Sequence, residues 1–188
     1  MRLSRRELAV VLVAAVGVAV TIAVTIPLLL HKGEHGMVAI GSPAPELAAT
    51  AVRGGDVSIA RLRGHVLLLS FVDMRADANT NAPSRAEIVF LSSMQKQHAR
   101  YGVRLILVDT ATENRDELIN DTYDWNLDPA IAVVGDHDVF ARRFGVHRAP
   151  TTFLIGRRGV VRKRWDGFVA AAQLDFAIRA AEGRRPTG

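Results

Sequence analysis

The chain has 188 residues, a formal net charge of +5 and no cysteine, and its length suits one domain and an anchor. Thiol–disulfide exchange requires a thiolate, so the absence of cysteine excludes an intrinsic dithiol mechanism. Residues 1–30 hold three arginines and one glutamate, which leaves an excess of three positive charges for the rest. That excess is too small to indicate a nucleic-acid partner, and none is expected.

The N-terminal part predicts a membrane anchor. Residues 8–30 contain no charged side chain, and as a helix they span roughly 34 Å, enough to cross the core of a bilayer. Three arginines precede this segment, whereas only Lys32 closely follows it. The asymmetry predicts cytoplasmic residues 1–7, a single-pass anchor in the cell membrane over 8–30 and an extracytoplasmic remainder. A cleaved signal peptide is the competing interpretation, but its apolar region is usually about 7–15 residues and ends at a pair of small residues.

A domain over residues 41–182 follows a linker at 31–40 and precedes a flexible tail at 183–188. The apolar run at 66–72 is typical of a strand that is buried on both faces, and residues 103–109 predict the next buried strand. Gly156 and Gly159 mark a hairpin turn. The predicted strands and helices alternate, which indicates a three-layer α/β domain. In chain order they are a short strand near 57, a strand at 66–72, a helix from 84 to about 100, a strand at 103–109, a helix at 113–122, a strand at 130–134, a helix at 138–144, hairpin strands at 151–155 and 160–165, and a helix at 170–182.

The start of the first long helix carries a capping-box pattern. Ser84 is followed three residues later by Glu87, the spacing at which the two side chains cap each other's backbone N–H groups. We therefore expect Ser84 to be the N-cap. The alternative, in which Ser84 is a nucleophile with His147 as its base, needs a base and an orienting group within hydrogen-bond reach.

Four motifs in order resemble the membrane-anchored thioredoxin-like proteins of the redoxin and TlpA/ResA type, over nearly the whole of residues 40–182. They are Gly-Ser-Pro-Ala-Pro at 41–45, Leu-Arg-Gly-His-Val-Leu-Leu-Leu-Ser-Phe at 62–71, Ser-Arg-Ala-Glu at 84–87, and Gly-Val-His-Arg-Ala-Pro-Thr-Thr-Phe-Leu-Ile at 145–155. The resemblance implies a thioredoxin-like α/β/α domain with a central mixed sheet. It also implies that Pro150 is cis and that the loop before it binds an extended peptide by backbone hydrogen bonds.

Two departures from that family bear on function. The positions of the two redox cysteines fall on Asn81 and Ser84, and the loop before them lacks the usual tryptophans. The copper-binding SCO relatives do not match either, because their ligands are two cysteines and a histidine. The histidines and methionines of this chain form no recognised ligand set, so neither a metal nor a cofactor is expected.

The leading hypothesis is a non-catalytic module that binds a protein or peptide in a groove at the former active site. The N-terminus of the helix offers N–H groups to an anion or to a carbonyl of the partner. An oxidoreductase that acts with a partner's thiols or in cell redox homeostasis, a cysteine-independent enzyme, and a purely structural assembly component remain as alternatives. The candidate residues of the groove are Arg75, Asn81, Ser84, Arg85, Ala149 and Pro150.

The hairpin at 151–165 is rich in basic residues, namely Arg157, Arg158, Arg162, Lys163 and Arg164. Alternate residues of a strand point to the same side, so Arg162 and Arg164 are expected to do so. The pattern favours a charged edge strand that resists pairing with other chains over a patch that contacts anionic lipids. Trp125 either caps the sheet or borders the groove.

Overall fold

The computed structural model describes residues 37–75, 82–111, 114–125, 127–137 and 139–183. The predicted cytoplasmic segment at 1–7 and the predicted anchor at 8–30 lie outside them, as do Asn81 and nearly all of the tail at 183–188. Within the described ranges, no helix has the length and apolar character that a membrane crossing requires.

A mixed five-stranded sheet forms the centre of the domain, with the strand order β5-β4-β3-β6-β7. The first three of these strands are parallel, and β6 and β7 complete the sheet in antiparallel pairs. The elements are β1 (Ala48–Thr50), β2 (Asp56–Ser58), β3 (Val66–Val72), α1 (Ala82–His98), a 3₁₀ turn (Ala99–Tyr101), β4 (Val103–Asp109), α2 (Arg115–Asp124), β5 (Ala132–Gly135), α3 (Val139–Phe144), β6 (Thr151–Ile155), β7 (Val161–Asp166) and α4 (Ala171–Glu182).

The two faces of the sheet bury separate sets of apolar side chains, because successive residues of a strand point to opposite faces. On one face, Leu68 of β3 packs in a cluster with Leu91 of α1 and Ile178 of α4. On the other face, Phe71 packs with Phe144 of α3. The expected three-layer α/β domain with a mixed sheet is therefore confirmed.

Most predicted elements agree with the structure to within two residues. The strands at 66–72, 103–109 and 151–155 are confirmed at both ends, because their side chains are almost all buried and their sequences are predominantly apolar. The small antiparallel pair β1–β2 contains a strand that the sequence did not reveal, Ala48–Thr50. Three residues are too few to show a periodic pattern.

The capping box predicted at Ser84 and Glu87 is wrong. Helix α1 begins at Ala82, two residues earlier, so Ser84 lies within its first turn. Pro83 fits there because the first turn of a helix does not use its N–H groups. The Ser84 hydroxyl accepts a hydrogen bond from the backbone N–H of Asp73, and Glu87 is buried among residues distant in sequence. Each side chain has a tertiary partner in place of the local one.

The domain begins against the start of β7. The Gly41 N–H donates to the Val161 carbonyl (2.8 Å), and the Val161 N–H donates to the Ser42 carbonyl (2.9 Å). The Ala44 N–H donates to the Gly159 carbonyl at 2.9 Å. The linker therefore joins the domain beside the hairpin of β6 and β7.

Candidate functional site

The groove lies where the parallel strands β3 and β4 end. Asp73 follows β3, and Thr110 and Ala111 follow β4, so all three reach the same edge of the sheet. The first turn of α1 and the loop before β6 close the other sides. The resulting cavity measures about 470 Å³ and is lined by Asp73, Arg75, Pro83, Ser84, Thr110, Ala111 and Ala149. A crevice beyond the carboxyl ends of the strands is the usual ligand site of an open α/β sheet.

Ser84 connects the helix to the end of the sheet. Its side chain is 2% exposed, and its hydroxyl oxygen accepts from the Asp73 N–H at 3.0 Å. A nucleophilic serine needs a basic side chain within hydrogen-bond reach, whereas the partner of this hydroxyl is a backbone N–H. The geometry thus gives Ser84 a positioning role for the loop that carries Asp73.

Asp73 and Arg75 form an ion pair at the rim of the groove. The Asp73 Oδ1 atom accepts from both the backbone N–H and the Nε of Arg75, at 3.1 and 3.0 Å, and Oδ2 accepts from the guanidinium. The two opposite charges offset each other locally. The rim of the groove therefore carries a negative and a positive side chain, and it has no excess of positive charge.

The loop before β6 presents backbone groups to the groove. The Ala149–Pro150 peptide bond is cis, as predicted. Pro150 is buried, and its carbonyl accepts from the Gly167 N–H at 2.8 Å. Ala149 is half-buried, and neither its N–H nor its carbonyl forms a hydrogen bond with any residue that the structure describes. These two groups are the free donor and acceptor that an extended chain could pair with.

A buried polar chain connects α1 to the strand that follows Pro150. Glu87 Oε1 accepts from the Thr152 hydroxyl at 3.0 Å, and Thr152 pairs in turn with the Ser70 hydroxyl at 2.8 Å. Glu87 Oε2 accepts from the Val169 N–H at 3.3 Å. Burial raises the pKa of Glu87 above its ordinary value, although these hydrogen bonds oppose the shift. No local sequence pattern indicates this contact, because Thr152 is distant from Glu87 along the chain.

Arg85 faces a different surface. Its guanidinium lies over the Trp125 ring, 5.1 Å from the centroid, and the Trp125 Nε1–H donates to the Met74 carbonyl at 3.1 Å. Arg85 lines a shallow depression on α1 together with Val89 and Phe90, outside the set of residues that lines the groove. This hydrogen bond from Trp125 therefore holds the chain just after β3 in place.

Of the six predicted site residues, the structure brings three together as the lining of the groove: Arg75, Ser84 and Ala149. Pro150 lies buried next to Ala149, Arg85 faces away, and Asn81 is outside the described residues. The prediction missed Asp73, Pro83, Thr110 and Ala111. Their position in the predicted fold could have identified three of them, because these residues follow the ends of neighbouring parallel strands, where ligands usually bind. Among the described residues, no group of three or more metal-binding side chains is close enough to hold an ion.

Comparison with known proteins agrees with this architecture. The model of the AhpC/TSA family matches residues 40–164, which is more than half of the chain. No curated protein matches the sequence at a significant level.

Several solved structures share the fold. A Chlorobium tepidum protein described as a thiol:disulfide interchange protein DsbE is 25% identical, with a TM-score of 0.66 over 78% of this chain and 99% of its own. A second thiol:disulfide interchange protein, from Chlorobium tepidum TLS, is 23% identical, with a TM-score of 0.64 over 77% and 99% of the two chains. StoA from Bacillus subtilis is 21% identical, with a TM-score of 0.58 over 73% and 98%.

Proposed function

This chain belongs to the AhpC/TSA family, and because it has the family's thioredoxin-like frame without a cysteine, we propose that it is a non-catalytic binding module. The groove holds an extended segment of a partner protein. The N-terminal segment at 8–30 tethers the module to the cell membrane, with the domain on the extracytoplasmic side. The observation that carries this proposal is that the backbone N–H and carbonyl of Ala149, beside the groove, have no hydrogen-bond partner among the described residues.

Backbone pairing is the recognition chemistry that these groups support. An extended peptide presents alternating N–H and C=O groups, and such main-chain hydrogen bonds provide affinity independent of side-chain identity. Ala149 offers one donor and one acceptor in the same residue. Since Pro150 is buried and held by Gly167, the loop keeps these groups in place without a ligand. Preorganisation of this kind lowers the entropic cost of binding.

The charge pattern of the groove favours a peptide over a free anion. Arg75 is paired with Asp73 through three hydrogen bonds, so its charge is already compensated. Pro83 supplies no N–H to the first turn of α1. A neutral segment with both donors and acceptors matches this surface better than a phosphate or a carboxylate does.

The oxidoreductase alternative starts from the neighbours described as thiol:disulfide interchange proteins. Their activity requires a thiolate in the enzyme, and this chain has none. An insulin-reduction assay with a small-molecule thiol separates the two functions. We expect the chain to leave the rate of the thiol alone unchanged, and an accelerated rate would support the alternative.

The binding proposal is tested by photo-crosslinking in membranes, with a crosslinking residue in place of Pro83, which is exposed at the groove. Ala111→Trp fills the groove and should abolish capture of the partner. Ala130→Trp adds the same bulk on an exposed turn just before β5 and should leave capture intact. The comparison is valid only if both variants have the same unfolding midpoint as the parent protein. Capture that survives Ala111→Trp would contradict the proposal and favour a structural role.

A further inference from the structure

A second charged surface lies around the turn between β6 and β7. Arg157 donates to the carbonyls of Gly64 and Tyr101, which hold the turn against the start of β3 and the end of the 3₁₀ turn. Arg63 lies beside the turn, because a Cβ atom added to Gly159 would lie 3.6 Å from its Nε. We refer to this charged surface as the basic end, which consists of Arg63, Arg157, Arg158, Arg162 and Lys163.

No carboxylate in the described part of the chain compensates the positive charge of the basic end. The described ion pairs involve other basic residues, and among the described carboxylates none pairs with a member of the basic end. Arg157 is bound by carbonyl oxygens, which leave its full charge in place. A cluster of cations without counterions attracts an anionic surface or ligand.

A bulge in β7 directs two of the cations toward α4. The register between β6 and β7 shifts at Leu154 and Ile155, and as a result Arg162 and Lys163 line the same cavity of about 510 Å³. Arg164 instead packs on Phe153 and pairs with Asp166, so the expectation that Arg162 and Arg164 point to the same side is wrong. A bulge changes the alternation of side chains along a strand.

The floor of that cavity is apolar. It is formed by Leu154 and by the alanines of α4, with Phe176 57% exposed at the margin. Met37 and Ile40 are 68% and 63% exposed, and they belong to the segment that leads into Gly41, which pairs with Val161 at the start of β7. Exposed apolar side chains thus lie at the margin of the cavity and on the segment that joins the domain beside β7. Such a combination suits a surface with charged headgroups above an apolar interior.

The position of the linker identifies the occupant. If residues 8–30 cross the membrane, the ten residues at 31–40 reach at most about 35 Å when fully extended. Their described part, residues 37–40, joins the domain beside β7, so the point at which a tether attaches lies next to the basic end. An anionic bilayer attracts basic residues within about one Debye length, and a short tether supplies a high effective concentration.

We propose that the basic end docks on the anionic headgroups of the membrane, with Met37, Ile40 and Phe176 at the boundary of the acyl chains. The inference rests on the proposed membrane tether. The basic end flanks the start of β3, whereas the groove follows the end of that strand. Docking therefore turns the groove away from the bilayer, toward partners in the extracytoplasmic space.

The test uses the full chain with one added cysteine, which labels cleanly because the chain has no other. Ala180→Cys carries an environment-sensitive fluorophore at the basic end, and Ala111→Cys carries it at the groove. The chain is reconstituted in vesicles of phosphatidylcholine alone or of equal parts phosphatidylcholine and phosphatidylglycerol. We expect the fluorescence of the label at 180 to change only in the anionic vesicles, and this change to disappear at high salt. The fluorescence of the label at 111 should stay unchanged in both kinds of vesicle.

Charge variants give the quantitative result. Arg158→Gln/Lys163→Gln should lower the docking equilibrium about 25-fold, at roughly fivefold for each basic residue near an anionic bilayer. The matched variant Lys96→Gln/Arg115→Gln removes two exposed cations elsewhere and should leave docking within a factor of two or so of the parent. An equal response in both lipids, or no difference between the two charge variants, would overturn the inference.

The experiment also distinguishes docking on lipid from binding of an acidic protein, and docking by the basic end from membrane attachment by the tether. A label that responds to polyglutamate but not to phosphatidylglycerol would overturn the inference, because it would identify an acidic protein as the partner. Flotation of the full chain with phosphatidylcholine vesicles reports on the tether alone, because those vesicles carry no net charge. Flotation on neutral vesicles together with no response at 180 in the anionic ones therefore rejects the basic end. A response in anionic vesicles without flotation on neutral ones supports the basic end and rejects the tether.

Discussion

Glu87 Oε1 accepts a hydrogen bond from the Thr152 hydroxyl at 3.0 Å, and this contact joins the first long helix to the strand that carries the cis-proline loop. Both residues are fully buried. The loop that presents Ala149 to the groove is therefore positioned by a carboxyl group in the core. A perturbation of Glu87 is expected to reach the groove through Thr152 and Pro150.

The first prediction concerns Glu87 and pH. Burial raises its pKa above the ordinary value of 4.5, so the folded state binds the proton more tightly than the unfolded state. The stability from this group is fully present below about pH 4.5 and is lost as pH rises through the raised pKa. Glu87→Gln removes that dependence, so relative to wild type the variant should gain in unfolding free energy as pH rises, measured by urea unfolding of the full chain in detergent.

Glu87→Gln should remain folded, because the Ser70–Thr152 pair can donate in either direction. The glutamine NH₂ can then donate to Thr152 while its oxygen accepts from Val169. Glu117→Gln, at an exposed position on α2, is the matched control. Its unfolding free energy should change with pH in the same way as that of wild type. A wild-type stability that increases between pH 5 and pH 8 relative to Glu87→Gln would contradict the assignment.

The second prediction concerns Asp175, whose pKa is shifted in the opposite direction to that of Glu87. The hydrogen bond from Arg179 is the main cause that lowers the pKa of Asp175 below its ordinary value of 3.8. A lowered pKa contributes stability that is present above that value and is lost as pH falls through the folded pKa. Asp175→Asn should therefore cost on the order of 0.5 kcal/mol at neutral pH, as partly exposed pairs do, and the difference should shrink in acid. Thermal unfolding between pH 2.5 and 7 measures this, and a constant difference over that range would count against it.

The third prediction addresses the connection between α1 and α4. The two ring nitrogens of the buried His98 lie 3.0 Å from Glu182 Oε1 and 2.9 Å from Asp175 Oδ1, and the Glu182 side chain is 1% exposed. His98→Phe removes a partner of a buried carboxylate and should destabilise the domain by about 3 kcal/mol. His147→Phe, at an exposed position, should change stability by less than about 0.5 kcal/mol. Similar effects of the two substitutions would refute the connection.

The fourth prediction tests the role assigned to Ser84. Ser84→Ala leaves the partly buried Asp73 N–H without its acceptor, which should cost about 1 kcal/mol. Ser93→Ala, an exposed serine on the same helix, controls for the change in helix propensity. Equal stability of Ser84→Ala and Ser93→Ala would show that the hydrogen bond contributes nothing.

The sequence predicted those parts of the fold that local pattern determines. β3 and β4 are predominantly apolar because both faces of the sheet are buried, and their predicted ends were correct to the residue. Ser84 and Glu87 matched a local motif, yet their partners are Asp73 and Thr152. Contacts across such separations leave no periodic signal, and the same holds for Thr110 and Ala111 at the groove.

The most direct measurement of the central claim is the amide exchange rate of Ala149, followed by NMR in the labelled full chain with and without the crosslinked partner's bound segment. If the groove pairs with an extended backbone, exchange at Ala149 should slow by up to about tenfold, the protection expected of one added hydrogen bond. Unchanged exchange at Ala149 while the partner is bound elsewhere would contradict the claim.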